Sequence, residues 1–461
     1  MPAFDLEEVL KATGAKVVNG AAKAFSDVVT DTRKIAEKVL FVALKGERFN
    51  GEDFAAEALK KGAAGVLVGK DCSQANLEAA EKEQGAVLQV EDTLAAYQQI
   101  AQLHRLKFDL PVVAITGSNG KTTTKDLTAA VLSARGPVQK TQANFNNEIG
   151  LPLTLLGIEE KHTAAVVEIG MRGLHQIEAL APLAAPTVGI VTNVGETHME
   201  LLGSLENIAR AKAELVEAIP AGGTVILNND NPYVAGMKDK AQEGVKVITF
   251  GIEQPADVKA EAIRTENGQT IFMVEYGNER HEYILPMVGR HNVENALAAI
   301  SAGFALGMKA EEIREGLLNL EATKMRFECQ EVGSWHVVND AYNASPMSMK
   351  AAIETLSELV KEGRKIAVMG DMLELGDVEE EAHRQVGFEL AAHGFNAVVT
   401  RGRLGALIAE GAKEKGIAEA YTCESHEEAA AKLKEILQPG DTVLFKGSRG
   451  MQMEKIIDLL K

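Results

Sequence analysis

A strand, a turn with two glycines and the start of a helix follow one another at residues 112–134, and this stretch constrains the fold most. The turn has the form T-G-x-x-G-K-[TS]-[TS] and contains Gly117, Ser118, Asn119, Gly120, Lys121, Thr122 and Thr123. It is shorter than the common G-x-x-x-x-G-K-[ST] pattern. Backbone amides of such a turn, together with a helix N-terminus, bind phosphate. We expect Lys121 to contact the β- and γ-phosphates of a nucleotide and the Thr122 hydroxyl to bind Mg²⁺. An ordinary strand-turn-helix junction is the alternative.

Composition excludes several classes of protein. A chain of 461 residues is too long for one ordinary core, so two to four domains are expected. The net charge of −18 argues against nucleic-acid binding. Three cysteines without a C-x-x-C pair indicate a reducing compartment and no structural zinc. The acidic N-terminus is unlike a signal peptide, and no apolar run is long enough to span a membrane. We therefore expect a cytoplasmic protein.

Three α/β domains are predicted from the order of strand and helix patterns. Residues 1–108 suit a small α/β domain that ends before Pro111. Residues 109–320 alternate strand and helix, which predicts a mostly parallel sheet, and a β-rich extension at 245–290 contains a hairpin. Residues 321–461 alternate again and predict a separate, doubly wound, Rossmann-like domain.

Polar groups follow the strands of the central domain, where ligands of open α/β sheets bind. Glu168 ends a buried strand, and Asn193 and His198 follow the next one. Taken alone, Glu168 also fits a surface acid, and His198 fits a structural hydrogen-bonding histidine. Lys212, in an Ala-Arg-Ala-Lys-Ala-Glu helix, reads as a solvated lysine.

Other polar clusters are less specific. Residues 26–33 and 41–51 are rich in hydrogen-bond donors and are predicted to be turns. Residues 141–152 carry three asparagines before a proline and fit either a turn or a ligand-contacting loop. Asn292 and Asn295 lie three residues apart at a helix start, so they share a face, and N-capping explains only one of them.

The predicted C-terminal domain also ends its strands in polar segments. They lie at residues 340–346, 370–376 and 446–450. The last is a basic, glycine-rich strand-to-helix turn that suits a carboxylate or a phosphate, although it lacks the Lys-Thr pair of a nucleotide loop.

Over essentially its full length, the chain resembles the bacterial Mur ligases. The shared features are the phosphate loop, Glu168, the His198 segment, Lys212, His291-Asn292-x-x-Asn295 and Arg326. Within that family it resembles the MurF group, which adds D-alanyl-D-alanine to UDP-N-acetylmuramoyl-tripeptide. The group motifs are Asn144-Phe145-Asn146-Asn147-Glu148-Ile149-Gly150, Asp340-x-Tyr342-Asn343-Ala344-x-Pro346 and Met369–Gly376. Small departures are Ser345 for a usual Asn, Glu52 for a frequent His, and Thr-His-Met-Glu around His198.

The resemblance implies an ATP-dependent ligase of peptidoglycan precursor synthesis that acts through an acyl phosphate. It implies two Mg²⁺ ions, one held by Thr122 and Glu168 and one by His198 and Lys212, with Lys212 carbamylated by CO₂. Asn292 and Asn295 would face the adenine, and Arg326 and Asp340 would engage phosphate and ribose when the third domain closes. The catalytic residues implied are Lys121, His198, Lys212 and Arg326.

The resemblance also implies the sites of the other two substrates. The UDP-sugar would bind Ser26, Asp31, Thr32, Arg33, Lys45 and Asn50, with Glu52 in place of the frequent His on the uridine side. The peptide would pass Asn144, Asn146 and Asn147, and the D-alanyl-D-alanine would meet Tyr342, Asn343, Lys446 and Arg449. A monomer is expected. The alternatives are a Mur ligase that adds the third amino acid, a folylpolyglutamate-synthetase-like ligase, and a nucleotide-sensing scaffold without catalysis.

Overall fold

The computed structural model describes residues 4–46, 49–320 and 325–461. These residues form two structural units. The first contains the chain up to Ala114, Arg135–Gly170 and Glu178–Thr187. The second contains Ile115–Ala134, Met171–Ile177 and Val188–Lys461.

The N-terminal part of the first unit is an α/β fold with a five-stranded sheet and a small antiparallel pair formed by its first and third strands. Its elements are β1 (Phe4–Asp5), α1 (Leu6–Thr13), β2 (Lys16–Asn19), β3 (Ala24–Phe25), β4 (Val28–Val29), β5 (Leu40–Val42), α2 (Ala55–Lys60), β6 (Gly65–Gly69), α3 (Gln74–Glu81), β7 (Ala86–Val90) and α4 (Thr93–Arg105). The sheet order is β2-β7-β6-β5-β4, with β2 antiparallel at one edge and the other strands parallel. Every residue of β5 and β6 is buried, as expected when a parallel sheet is covered on both faces.

The phosphate loop lies between a fully buried strand and a long helix. The elements of this stretch are β8 (Val112–Thr116), α5 (Lys121–Ser133), β9 (Val138–Lys140), α6 (Gly150–Leu156), β10 (Ala164–Glu168) and α7 (Gln176–Ala184). Strands β9 and β10 are parallel, with Val138 opposite Ala164. Helix α5 begins at Lys121, directly after the second glycine of the turn, so the hydroxyl residues that follow the lysine are already helical.

The second unit continues with a parallel sheet that ends in an antiparallel meander. Its elements are β11 (Val188–Val191), α8 (Met199–Leu202), α9 (Leu205–Glu217), β12 (Thr224–Asn228), α10 (Pro232–Ala235), β13 (Lys246–Gly251), β14 (Val258–Glu266), β15 (Gln269–Tyr276), β16 (Glu279–Leu285), α11 (Arg290–Ala305) and α12 (Ala310–Leu318). Strands β11 to β14 pair in parallel in chain order, and β14, β15 and β16 pair antiparallel. The predicted hairpin is therefore confirmed.

The C-terminal part is the doubly wound fold that the sequence predicts. Its elements are β17 (Glu328–Val332), β18 (Trp335–Asp340), α13 (Pro346–Leu359), β19 (Lys365–Gly370), α14 (Glu379–Ala392), β20 (Ala397–Arg401), α15 (Gly405–Glu414), β21 (Glu419–Cys423), α16 (His426–Ile436), β22 (Thr442–Lys446) and α17 (Glu454–Leu460). The sheet order is β17-β18-β22-β19-β20-β21, parallel except for β17. Because β22 returns between β18 and β19, Lys446 lies opposite Asp340 on one side and Met369 on the other.

The predicted fold class is confirmed: α/β throughout, with a mostly parallel central sheet and a Rossmann-like C-terminal domain. The segment at residues 26–33, predicted to be a turn, contains the short strand β4, and β5 ends at Val42, inside the start of the segment 41–51. No helix in the described part of the chain is both long and apolar enough to cross a membrane.

Candidate active site

The two glycines of the phosphate loop are required by its packing. Gly117 has φ +148°, and a Cβ there would lie 1.9 Å from Thr192 Oγ1. Gly120 has φ +79°, and a Cβ there would lie 2.3 Å from Asn295 Oδ1. Both the left-handed backbone and the absence of space exclude other residues. The loop is therefore held tightly between residues after β11 and the start of α11.

Residues 192–195 fix the backbone of the loop tip. The Asn119 N–H donates to Asn193 Oδ1 at 2.8 Å, and the Asn119 carbonyl accepts from Thr192 Oγ1 at 2.6 Å. The Ser118 hydroxyl donates to the Gly195 carbonyl at 3.0 Å. The sequence marks Asn193 as a strand-end polar residue but gives no sign of this support for the loop.

Lys121 lies back over its own loop. Its Nζ donates to the carbonyl oxygens of Gly117 at 2.7 Å and Ser118 at 3.3 Å. Thr122 and Thr123, next along α5, are buried. The loop thus collects an ammonium group, a helix N-terminus and hydroxyls, which together suit the end of a polyphosphate.

Lys212 is buried inside the second unit, so its interpretation as a solvated lysine is wrong. Burial, and to a lesser degree the positive charge of Lys121, hold the pKa of Lys212 well below its usual range. No carboxylate in the described residues forms an ion pair with it. A lowered pKa favours the neutral amine, which is the form that adds CO₂.

His198 lies in the same charged neighbourhood. Its Nδ1 is 2.5 Å from Glu374 Oε2, and its backbone is left-handed, with φ +59°. Burial lowers the pKa of His198, Glu374 opposes that effect, and the charges of Lys121 and Lys212 lower the pKa further. Lys121 and Lys212 therefore lie close enough to His198 for their charges to act on it, and the roles that the resemblance implies for these three residues stay predictions.

Glu168 is buried at the end of β10, so its interpretation as a surface acid is wrong. Its Oε1 accepts from Asn146 Nδ2 at 2.7 Å, and its backbone N–H donates to Thr141 Oγ1 at 3.0 Å. Asn147 Oδ1 accepts from the Gly150 N–H at 2.9 Å and so supports the start of α6. Asn144 is exposed. The asparagine loop is thus tied to the carboxylate that is predicted to bind metal.

Asn292 and Asn295 are buried and bonded to protein groups. Asn295 Oδ1 accepts from Thr124 Oγ1 at 3.1 Å, and its Nδ2 donates to Asn292 Oδ1 at 3.3 Å. Asn292 Nδ2 donates to the Val288 carbonyl at 2.8 Å. These bonds join α11 to the phosphate-loop helix, while the predicted contact with adenine stays a prediction.

Arg326 lies against the ring of Tyr342 in the C-terminal part. Its guanidinium carbon lies 4.2 Å from the centroid of the Tyr342 ring, within cation–π range. Its Nε is buried and has no hydrogen-bond partner in the described residues. An unsatisfied buried guanidinium nitrogen fits an anionic ligand such as a phosphate.

Asp340 and Lys446 form an ion pair at the carboxyl edge of the same sheet, in which Lys446 is buried and Asp340 is partly buried. Lys446 Nζ donates to Asp340 Oδ2 at 2.6 Å and to the Asn343 carbonyl at 3.1 Å. Arg449, half-exposed, pairs with Glu454 at 2.8 Å. The positive charge of Lys446 is therefore matched inside the protein.

The N-terminal residues predicted to bind a UDP-sugar lie in two loops. Asp31 and Arg33 form an ion pair at 2.6 Å, which lowers the pKa of Asp31 to about 2, and Thr32 lies between them. Ser26 Oγ donates to the Glu37 carbonyl at 3.1 Å.

The second loop contains Lys45 and Asn50. Lys45 pairs with Asp71 at 2.5 Å, and Asn50 Nδ2 donates to Glu52 Oε2 at 3.2 Å. Glu52 is buried and accepts the Gly69 N–H at 2.9 Å. The residue that departs from the family pattern is thus part of the structure of this loop.

A magnesium ion fits these residues only with help from a nucleotide. No group of three or more His, Cys, Asp or Glu side chains in the described ranges is arranged to hold a metal. Mg²⁺ binds through one or two carboxylates and keeps phosphate oxygens and water as its other ligands. The Thr122 hydroxyl of the second unit and the Glu168 carboxylate of the first unit are each oxygen donors of this kind, and His198 offers an imidazole nitrogen.

Comparisons with known proteins agree with this architecture. Three family models match in series: the Mur ligase family catalytic domain at residues 24–105, the Mur ligase middle domain at 115–303 and the Mur ligase glutamate ligase domain at 325–449. A UDP-N-acetylmuramoyl-tripeptide–D-alanyl-D-alanine ligase from Bacillus subtilis is 42% identical over 94% of this chain and 93% of its own length.

Solved structures give the same result. A MurF crystal structure from Acinetobacter baumannii superposes with a TM-score of 0.91 at 30% identity, covering 100% of this chain and 99% of that one. MurF from Thermotoga maritima in complex with ADP gives a TM-score of 0.82 at 27% identity, covering 94% and 96%. The chain therefore belongs to the Mur ligase family, within its MurF group.

Proposed function

We propose that this chain uses ATP to join D-alanyl-D-alanine to UDP-N-acetylmuramoyl-tripeptide in peptidoglycan precursor synthesis. The observation that carries the proposal is the cluster of Lys121, His198 and Lys212 beside a glycine-dependent phosphate loop. A buried lysine beside a second cation is unfavourable in a purely structural role, so a ligand or modification that supplies negative charge accounts for it.

The reaction has two steps. A terminal carboxylate oxygen of the tripeptide attacks the γ-phosphorus of ATP, the bond to the bridging oxygen breaks, and ADP leaves. The dipeptide amine then attacks the acyl carbon, loses a proton, and expels inorganic phosphate. Lys121 and the loop amides neutralise the transferred phosphoryl group, and Arg326 supplies further positive charge.

Four residues would hold the magnesium ions and carry the modification that the resemblance implies. Thr122 and Glu168 would hold one ion, and His198 and Lys212 the other. Bound Mg²⁺ would supply charge neutralisation for the phosphates. Carbamylation of Lys212 would replace a buried amine with an anion that pairs with the positive charge nearby.

Each predicted domain has its own part in the reaction. Residues 1–108 bind the UDP-sugar, residues 109–320 bind ATP, with Asn292 and Asn295 on the adenine side, and residues 321–461 close over the site. Asp340, with Arg326, engages the phosphate and ribose of the nucleotide. Candidates for the dipeptide are Tyr342, Asn343, Lys446 and Arg449, although Lys446 must first leave Asp340. The enzyme acts as a monomer in the cytoplasm.

Release of ADP tests this function. With ATP, Mg²⁺ and UDP-N-acetylmuramoyl-tripeptide, addition of D-alanyl-D-alanine should produce rapid ADP formation, and single amino acids should not. ADP formation with UDP-N-acetylmuramoyl-dipeptide and a diamino acid would indicate the ligase for the third residue, and formation with a folate and glutamate would indicate the folylpolyglutamate activity. Tight ATP binding without turnover on any substrate would indicate a scaffold.

A further inference from the structure

Glu374 connects the C-terminal part of the second unit to His198. It lies in the Met369–Gly376 motif, to which the sequence assigns no role. Its Oε2 is 2.5 Å from His198 Nδ1, although the two residues are 176 positions apart. Its carbonyl accepts the Glu200 N–H at 3.5 Å, at the start of α8. One residue of this motif therefore contacts both the imidazole and the helix that follows it.

Both residues of this contact have uncommon backbone conformations. Glu374 has φ +64° and His198 has φ +59°, and a left-handed conformation is uncommon for residues with side chains. Two residues after Glu374, Gly376 has φ +58°, and a Cβ there would lie 3.0 Å from Glu200 Cα. The close approach of the two segments therefore depends on a glycine and on two uncommon conformations, both of which point toward a functional contact.

The chemistry of the contact fixes the tautomer of the histidine. A carboxylate only accepts hydrogen bonds, so Nδ1 carries the hydrogen, and Nε2 has a lone pair. Nε2 has no hydrogen-bond partner in the described residues. Histidines that bind metals commonly donate their other N–H to a carboxylate, which sets the ring orientation and raises its basicity. Arg172, 3.8 Å from Glu374 Oε1 and largely exposed, adds a weaker contact.

We propose that Glu374 is a positioning residue that holds His198 ready to bind metal through Nε2. Because Glu374 belongs to the C-terminal part, the histidine is oriented only when that part is seated on residues 198–200. Metal affinity and C-terminal closure are thus coupled through one hydrogen bond. This inference rests on the proposed function for the role of His198 as a metal ligand.

Mn²⁺ binding tests the proposal with the full-length chain. Affinity is measured from the electron paramagnetic resonance signal of free Mn²⁺, with the protein saturated with ADP. We expect E374Q and E374A to weaken Mn²⁺ binding by about tenfold, the lower end of the range for such outer-shell partners. The matched control is D377N, which removes the same charge from an exposed position three residues away and should leave affinity within about twofold of wild type.

The same substitution in the H198N variant shows whether Glu374 acts on metal binding through His198. In H198N, E374Q should cause no further loss, because the group that it positions is gone. Wild-type Mn²⁺ affinity in E374Q would overturn the proposal. So would a loss of affinity from E374Q that is as large in the H198N background as in the wild-type chain. Wild-type ADP release is measured in parallel: if the dipeptide does not stimulate it, the proposed function fails, while the Mn²⁺ titrations still decide the role of Glu374.

Discussion

The Ser345 hydroxyl donates a hydrogen bond to Asn119 Oδ1 at 2.7 Å, which joins the N-terminus of α13 to the tip of the phosphate loop. Ser345 Oγ also accepts the Ser348 N–H at 3.3 Å, so Ser345 is the N-cap of α13. Met347 Sδ lies 3.7 Å from Asn119 Nδ2. Through these contacts, the C-terminal part of the second unit touches the residues that we expect to bind the nucleotide. Ser345 is also a position at which the sequence departs from the family pattern.

S345A should weaken ATP binding more than it weakens the fold. Loss of a helix cap costs about 1 kcal/mol. Loss of the bond to Asn119 should raise KM for ATP about three- to tenfold, the equivalent of one hydrogen bond. The control is S425A, which removes the N-cap of α16 without touching the loop. It should lower Tm by a similar amount and leave KM for ATP unchanged; equal KM values in the two variants would contradict this account.

G120A should abolish most activity. Its Cβ would lie 2.3 Å from Asn295 Oδ1, so the loop must shift, and displacement of catalytic groups by about 1 Å lowers rates about 10²-fold. G222A is the control, because Gly222 has a similar φ of +84° with nothing within 4 Å. It should lose about 1 kcal/mol of stability from the backbone conformation alone and keep its rate of ADP release. An active G120A enzyme would show that the loop does not need its present shape.

Lys212 should be necessary for turnover but unfavourable for stability. Burial lowers the pKa of Lys212, so burying this lysine costs stability below the unfolded pKa of 10.5, and that cost disappears as the pH rises toward 10.5. In CO₂-depleted buffer, K212M should therefore have a higher Tm than wild type at pH 7, and the difference should shrink toward pH 10. The surface variant K434M should not change Tm. A Tm of K212M below wild type at pH 7 would contradict an energetic cost of burying Lys212.

K212A should lose about 10²- to 10³-fold in turnover, comparable to removal of one preorganised charge. Short carboxylic acids such as acetate should restore part of the rate, because they supply the anion that a carbamylated lysine would carry. Rates are measured as ADP release with and without the acid. Wild-type turnover in K212A would remove Lys212 from the active site.

Glu294 should make stability depend on pH near neutrality. Burial, with a contribution from Asp230, raises the pKa of Glu294 from 4.5 to about 7. Between these values the folded chain binds more protons than the unfolded chain, so this contribution is fully present below pH 4.5 and is lost as the pH rises through 7. Between pH 5 and 8, the wild-type chain should lose on the order of 2 kcal/mol in free energy of unfolding through Glu294, and E294Q should not show this loss. Thermal unfolding over that range, compared with the exposed control E315Q, checks it; parallel Tm profiles for E294Q and wild type would contradict it.

The features that the sequence predicted are those in which neighbouring residues specify the structure. The phosphate loop was predicted because its glycines, lysine and hydroxyls follow one another directly after a buried strand. The doubly wound C-terminal domain was predicted for the same reason, since each apolar strand precedes a helix. Strand β14 was not predicted, because most of Val258–Glu266 is polar and half-buried at best, so it lacks an apolar run.

The contacts that the sequence did not predict are made between distant residues. Nothing near His198 indicates that its partner is Glu374, and nothing near Lys446 indicates that Asp340 neutralises it. The burial of Lys212 was likewise not evident from the residues around it in the sequence. Its polar helix reads as solvated, and only the packing of α9 shows that this lysine is buried. Burial and charge pairing depend on tertiary structure, so local patterns did not reveal them.

Transfer of oxygen from the tripeptide to phosphate tests the central claim most directly. UDP-N-acetylmuramoyl-tripeptide is labelled with ¹⁸O in its terminal carboxylate and converted with ATP and D-alanyl-D-alanine, and the released phosphate is analysed by mass spectrometry. An acyl phosphate requires that one labelled oxygen appear in the phosphate for each amide bond formed. Unlabelled phosphate released together with the amide product would contradict activation of the carboxylate at the Lys121 loop.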